Sequence, residues 1–182
     1  AADILTKIYS EPVFAVLLTE NLYERIDGKP YDRSDFHHDP SRYRCVFRHY
    51  LPYCDLLING IYWEEKMDRL FSEVDTRNSP FKIKVIADIS CDVQGSIPIT
   101  LKDTKIYDPV FGYDPISMGI CEPYTNNSID IMAVANLPTE LPKDASEGFG
   151  AMLMEYVLPE LFKPESSIID NATICKNGKL TE

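Results

Sequence analysis

The chain has 182 residues, with 18 basic against 29 acidic side chains and a formal net charge of −11. That length suits one domain or slightly more. With 45% apolar and 26% charged residues the composition is that of a folded globular protein, not a disordered one. The net field repels nucleic acid and anionic membrane, so neither is an expected partner. No apolar run reaches the roughly 18 residues needed to span a bilayer.

The cysteines, Cys45, Cys54, Cys91, Cys121 and Cys175, are odd in number and form no CxxC pair. Neither a disulfide framework nor a metal site is expected from them. Reduced thiols suit a cytoplasmic protein, or a mitochondrial one in a eukaryote.

Taken in chain order, Ala1 to Tyr9 reads as helix, with Ile4, Leu5 and Ile8 on one stripe. It starts without a cap, so the natural chain is expected to extend upstream. Val13 to Leu18 is a short, continuously apolar run, the pattern of a strand buried on both faces of a parallel sheet. Glu20 to Asp39 reads as a long polar loop that includes the pair His37-His38, expected to be exposed and not a metal site. Asp39-Pro40-Ser41 is expected to open a helix whose apolar face is Tyr43, Val46, Phe47 and Tyr50. Leu56 to Ile61 is a second buried strand, Glu65 to Val74 a short helix, and Phe81 to Ile89 a third strand. Asp92 to Ser96 is a turn.

Extended pieces broken by Pro98, Pro109 and Pro115 follow, and Ile129 to Val134 is a fourth buried strand. Asp144 is expected to cap a helix carrying Phe149, Met152, Leu153, Tyr156 and Val157. Gly148 and Gly150 within it suggest close packing. Residues 164–182 read as a loop with a short apolar piece, Ile168-Ile169.

This alternation predicts an α/β fold with a parallel sheet flanked by helices. The expected organisation is one such domain over residues 1–163, its helix near 144–162 leading back towards a further domain, and a C-terminal segment over 164–182. Ligands of open α/β sheets lie beyond the carboxyl ends of the strands. The residues to inspect are therefore Tyr62-Trp63, Ser90-Cys91-Asp92 and Ala135-Asn136-Leu137. Asp88, inside a strand, is a buried carboxylate that needs partners.

Three segments are similar to those of lysine–ketoglutarate reductases, also called lysine-forming saccharopine dehydrogenases, within the alanine dehydrogenase and transhydrogenase superfamily. They are Leu57-Ile58-Asn59-Gly60-Ile61-Tyr62-Trp63, Ile86 to Ile97, and Met132-Ala133-Val134-Ala135-Asn136-Leu137-Pro138 continuing to Glu147. The resemblance runs from about Pro40 to Phe162. It implies a Rossmann-like dinucleotide-binding domain using NAD or NADP. It implies lysine, 2-oxoglutarate and saccharopine as small-molecule ligands.

By resemblance, Tyr62 and Ile89 lie by the dinucleotide, and Ser90, Cys91 and Asp92 face substrate and nicotinamide, with Asp92 in the catalytic apparatus. Val134, Ala135, Asn136 and Leu137 match the segment lining the nicotinamide. The family's N-terminal strand, its glycine-rich phosphate loop and its catalytic Lys and His find no match here. The Lys and His belong to a substrate domain expected upstream in the same natural chain, so the fragment alone is expected to be inactive. Glu20, after the first expected strand, is the natural reader of the ribose, and an acid there favours NAD. Nearby Arg25 leaves NAD against NADP open. Alternatives are an alanine dehydrogenase-like enzyme or a non-catalytic Rossmann-like binding module.

Overall fold

The computed structural model describes residues 11–78 and 80–181, so the helix expected over Ala1–Tyr9 lies outside the described residues. The chain divides into two units, Ala1–Ala135 and Asn136–Glu182.

The first unit is built on a five-stranded mixed sheet. Its strands are β3 (Leu56–Asn59), β4 (Val85–Asp88), β5 (Val110–Asp114), β6 (Gly119–Cys121) and β7 (Ile129–Met132), following a separate hairpin, β1 (Tyr23–Arg25) with β2 (Tyr43–Cys45). The spatial order is β3-β4-β7-β5-β6. β3, β4 and β7 run parallel, in register Leu57 to Ile86 to Ile131 and Asn59 to Asp88. β5 is antiparallel to β7 and carries the antiparallel β6 on its outer side. The fold is α/β and Rossmann-like, as expected, with an antiparallel edge added to the parallel core.

Side chains alternate across a sheet, and here the alternation divides the strands sharply. Leu57, Ile86, Ile131, Phe111, Ile129 and Tyr113 share one face with Asn59 and Asp88, and on it all but the half-buried Leu57 are buried. On the other face Leu56 is 56% exposed and Ile58 68%. The apolar runs therefore do not mark strands buried on both faces. A run such as Leu56-Leu57-Ile58 satisfies the buried-strand pattern with only every second residue in the core.

Over the buried face lies a layer of short helices and turns. It holds α1 (Thr19–Leu22), α2 (Arg33–His38) and the β1–β2 hairpin, with Tyr23, Phe36 and Tyr43 joining the core cluster. Asp32 caps α2 by accepting from the Asp35 backbone N–H at 2.7 Å, which satisfies one of the helix's orphan donors. Tyr43 is edge-on to Phe36 at 5.1 Å and donates its hydroxyl to Asp35 at 3.0 Å.

Several expected elements take a different form. Val13 to Leu18 forms no strand and is largely exposed, Phe14 at 88%. Among the described residues it has no sheet partner, and an isolated extended segment gains neither ladder hydrogen bonds nor burial. The helix expected from Asp39 is a 3₁₀ turn, Pro40–Arg42, that leads into β2. Tyr43 and Phe47 are buried as expected, but from a strand and a further 3₁₀ turn, Phe47–His49. Residues 65–72 form turns, and the adjoining helical piece is 3₁₀, Glu73–Arg77. Met67, Leu70 and Phe71 are in the core while Val74 is 57% exposed. In both stretches burial comes from irregular backbone wrapped on the sheet, which leaves spacings that imitate helical period.

The second unit contains α3 (Pro142–Met152), a π-helical turn (Leu153–Val157), α4 (Leu158–Leu161), α5 (Ser167–Ala172) and the hairpin β8 (Cys175–Lys176) with β9 (Lys179–Leu180). The helix starts with Pro142 in its first turn, two residues before the expected cap at Asp144. Pro is tolerated there because its missing N–H would be unpaired anyway. Pro159 lacks the N–H that would bond Glu155, and the Leu158 N–H reaches back to Leu153, which is the π turn. A Cβ at Gly148 or Gly150 would meet nothing within 4 Å, so these glycines do not mark close packing. The 164–182 stretch, expected as loop, forms α5, which Ser166 caps through the Ile169 N–H at 3.3 Å, and the terminal hairpin.

Candidate functional site

Because β3, β4 and β7 are parallel, their carboxyl ends open on one edge of the sheet. The residues that leave this edge are Gly60-Ile61-Tyr62, Ile89-Ser90-Cys91-Asp92 and Ala133-Val134-Ala135. The ladder persists past the strands, since the Ile89 N–H donates to the Asn59 carbonyl at 2.8 Å.

Behind the tip of β4 lies a buried polar cluster. Asp88, Ser96 and Thr100 are 0% exposed and Asn59 is 3% exposed. Asp88 Oδ1 accepts from Asn59 Nδ2 at 2.9 Å and from Ser90 Oγ at 2.7 Å. Asp88 Oδ2 accepts from Thr100 Oγ1 at 2.6 Å. Asn59 Nδ2 also donates to Ser96 Oγ at 2.9 Å. No lysine or arginine is among these partners. Among the described residues the carboxylate is held by neutral donors alone, which is how a buried carboxylate avoids the cost of lost hydration.

This cluster shapes the loop that follows β4. The Gln94 N–H donates to the Thr100 carbonyl at 2.8 Å and the Gly95 N–H to the Asp92 carbonyl at 2.9 Å. Cys91 and Gln94 have φ of 48° and 53°, the left-handed region that non-glycine residues enter at a cost. A Cβ on Gly95 would stand 2.6 Å from Asp92 Cβ, so only glycine lets the turn close. Asp92 is exposed at its crest.

The other two tips are also braced. Trp63 Nε1 donates to the Met67 carbonyl at 3.1 Å. Arg69 stacks over the Trp63 ring at 5.6 Å and donates to the Gln94 carbonyl at 2.7 Å, tying the β3 loop to the β4 loop. The tip of β7 is bridged in parallel by Thr104 at Val134. Cys91 Sγ lies 3.6 Å from the Val134 carbonyl.

Among the sequence-selected residues, Tyr62, Ile89, Ser90, Cys91, Asp92, Val134 and Ala135 all belong to this edge. Tyr62 is 63% exposed and Ile89 41%, while Val134 is 2% exposed and so offers backbone rather than side chain. Tyr62 donates its hydroxyl to Glu64, which pushes the phenol's pKa up. Burial pushes the Cys91 thiol up, and Asp88, Asp92 and Asp103 add to this. These surroundings disfavour the thiolate, the form in which a cysteine is nucleophilic. Asn136, with φ of 64°, and Leu137 open the second unit's first 3₁₀ turn, Leu137–Glu140. Glu20 is exposed on α1.

The sequence reading missed Asn59, Ser96, Thr100, Thr104 and Arg69. A signal existed for Asn59, a polar residue closing an apolar strand beside Asp88. The hydroxyls of Ser96 and Thr100 carried none. Among the described residues no group of three or more His, Cys, Asp or Glu is placed to hold a metal ion. No helix among them is long and apolar enough to cross a membrane.

The edge offers exposed apolar and aromatic side chains, backbone and a hydroxyl, which suits a flat ring with an amide. Among the described residues no glycine-rich turn stands between a strand and a helix, so nothing described there fits a pyrophosphate.

No family model matches the chain. The chain is similar to an alpha-aminoadipic semialdehyde synthase of Arabidopsis thaliana, 31% identical over 85% of this chain and 15% of that protein. It is similar to the mitochondrial alpha-aminoadipic semialdehyde synthase of Mus musculus, 32% identical over 93% of this chain and 21% of that protein. It is also similar to the NAD(+)-dependent, L-lysine-forming saccharopine dehydrogenase of Schizosaccharomyces pombe, 27% identical over 69% of this chain and 31% of that protein. The chain thus spans between about a seventh and a third of the length of these relatives.

Proposed function

Since this chain is a homologue of the lysine-ketoglutarate reductase/saccharopine dehydrogenase family, 31–32% identical to relatives over most of its length, we propose that it forms the part of such an oxidoreductase that presents the nicotinamide end of NAD or NADP to substrate. The observation that supports this best is the convergence of the β3, β4 and β7 tips on one edge, with the Ser90-Cys91-Asp92 loop between its two neighbours. That edge is where parallel sheets take their ligands.

The reaction proposed for the whole protein is condensation of lysine with 2-oxoglutarate to an imine and water, followed by reduction to saccharopine, or the reverse. The nicotinamide supplies or accepts the hydride when bound. Tyr62 and Ile89 would hold the ring through their exposed side chains, and the Val134-Ala135 backbone would border it. Ser90 offers a hydroxyl oxygen. Asp92, exposed on a turn it does not brace through its side chain, places a carboxylate where a cationic amine is steadied or a base is ordered. The acid–base groups that move the amine proton come from the remainder of the protein.

The test is fluorescence titration of NADH and NADPH on the full-length protein. Ile89→Asp and Tyr62→Ala each weaken binding about tenfold or more, with the melting temperature unchanged. Unaltered dissociation constants in both variants would remove this edge from the cofactor site.

A further inference from the structure

Resting on that reading, we infer that Asp88 is a positioning residue that fixes Ser90 as a hydrogen-bond acceptor, so that the tip of β4 selects a ligand group carrying N–H.

Counting hydrogens leads there. A carboxylate is acceptor-only, whereas a serine hydroxyl has one hydrogen and two lone pairs. Asp88 Oδ1 stands 2.7 Å from Ser90 Oγ, so the serine hydrogen must lie on that contact. Asn59 Nδ2 has two hydrogens. Its two close partners are Asp88 Oδ1 and Ser96 Oγ, both at 2.9 Å. Its third contact, to Ser90 Oγ, is longer at 3.3 Å and is at best a shared bond. Ser90 Oγ therefore keeps a lone pair that no group among the described residues fully claims.

Ser90 is only half-buried, whereas the groups behind it are closed off from solvent. The unclaimed lone pair is thus on the side of the strand edge. With its hydrogen held inward, Ser90 cannot turn to donate unless the bond to Asp88 breaks. A hydroxyl would ordinarily serve donors and acceptors alike. Here the buried carboxylate removes that ambiguity, and Thr100 at 2.6 Å on the other oxygen keeps the carboxylate from rotating.

Two ligand groups of the proposed reaction carry such N–H donors, the carboxamide of nicotinamide and the amine of lysine. Both can be probed in the full-length protein. Dissociation constants are measured for NADH and for its 3-acetylpyridine analogue, in which a methyl group replaces the amide nitrogen, and for lysine by calorimetry. The variants are Ser90→Ala, Asp88→Ala and the unsubstituted protein, each with its melting temperature.

If the carboxamide is the partner, the unsubstituted protein prefers NADH over the analogue by about tenfold, the ratio one ordinary hydrogen bond supplies. Ser90→Ala abolishes that preference. Asp88→Ala also reduces it with Ser90 still in place, because no acceptor is left behind Ser90 Oγ and its hydrogen is free to face outward. A merely structural Asp88 would weaken both dinucleotides equally and leave the ratio unmoved. If the amine is the partner, the ratio stays constant and both variants weaken lysine binding instead. Should Asp88→Ala fail to fold, the analogue ratio in the unsubstituted protein and in Ser90→Ala, at its half-buried site, decides whether Ser90 accepts. Folded variants that change neither the dinucleotide ratio nor lysine binding overturn the proposal. Failure of the unsubstituted protein to bind either dinucleotide would sink the cofactor reading, leaving the lysine measurements to decide the polarity of Ser90.

Discussion

Thr100 Oγ1 donates a 2.6 Å hydrogen bond to Asp88 Oδ2 across twelve residues of chain, and both side chains are fully buried. The contact joins the end of β4 to the far side of the turn that follows it. Thr100→Val keeps the shape and deletes the donor, leaving one carboxylate oxygen without its partner in the core. A loss of about 2–3 kcal/mol is expected, measured by urea unfolding. Thr100→Ser retains the hydroxyl and loses less. Equal stability for the valine and serine variants would show that the bond contributes nothing.

Asp92 contrasts with Asp88. It is exposed on the turn, so Asp92→Asn alters stability by less than about 1 kcal/mol. If Asp92 steadies the cationic amine or orders the base, the same variant lowers kcat of the full-length enzyme by roughly 10²-fold or more. An intact kcat with a melting temperature several degrees lower would make Asp92 a structural turn residue.

Gly95 is a steric requirement. An added methyl group would lie 2.6 Å from Asp92 Cβ and 3.1 Å from the Asp92 carbonyl oxygen, and neither atom belongs to a flexible side-chain end. Gly95→Ala should cost about 1–3 kcal/mol and should displace Asp92, so activity falls by more than stability alone explains. A variant with unchanged unfolding midpoint would contradict the tightness of this turn.

Burial pushes the Cys45 and Cys54 thiols up to about 11 from an ordinary value of 9.0. A group whose folded pKa is raised contributes its full stability below the unfolded pKa, near 9. The contribution is lost as pH climbs through about 11, because only the unfolded chain readily releases the proton. For each thiol the loss is on the order of 2 kcal/mol. Urea midpoints between pH 8 and 10.5 should therefore fall less steeply in a Cys45→Ala/Cys54→Ala variant than in the parent. Parallel curves would refute the linkage.

Glu20 is exposed on α1 and is the proposed reader of the ribose. Glu20→Ser with an arginine introduced nearby should raise the kcat/KM ratio of NADP to NAD, because the carboxylate that would repel a 2′-phosphate is gone. An unmoved ratio would assign the ribose to another residue.

Much of the fold and most of the site edge were legible in the sequence. The apolar runs Leu56 to Ile61, Phe81 to Ile89 and Ile129 to Val134 each contain one of the three parallel strands, and the rule that ligands lie beyond strand ends then pointed to Tyr62, Ser90, Cys91 and Asp92. Local pattern failed at Val13 to Leu18, where an apolar run finds no sheet partner. It failed again at Tyr43 to Tyr50 and Met67 to Val74, where core residues at helical spacing ride on strand, turn and 3₁₀ backbone. Periodicity records which residues are buried, and several backbones can bury the same residues.

The antiparallel β5–β6 edge and the one-sided burial of the sheet were likewise decided by pairing between distant segments. So was the polar cluster: Asn59, Asp88, Ser96 and Thr100 are common residues scattered over some forty positions. The sequence determined by itself that Asp88 would be a buried carboxylate in need of partners. Only the tertiary structure decided which donors reach it, because hydrogen bonding depends on tenths of an ångström between segments whose spacing is set by the packed sheet and not by the chain order.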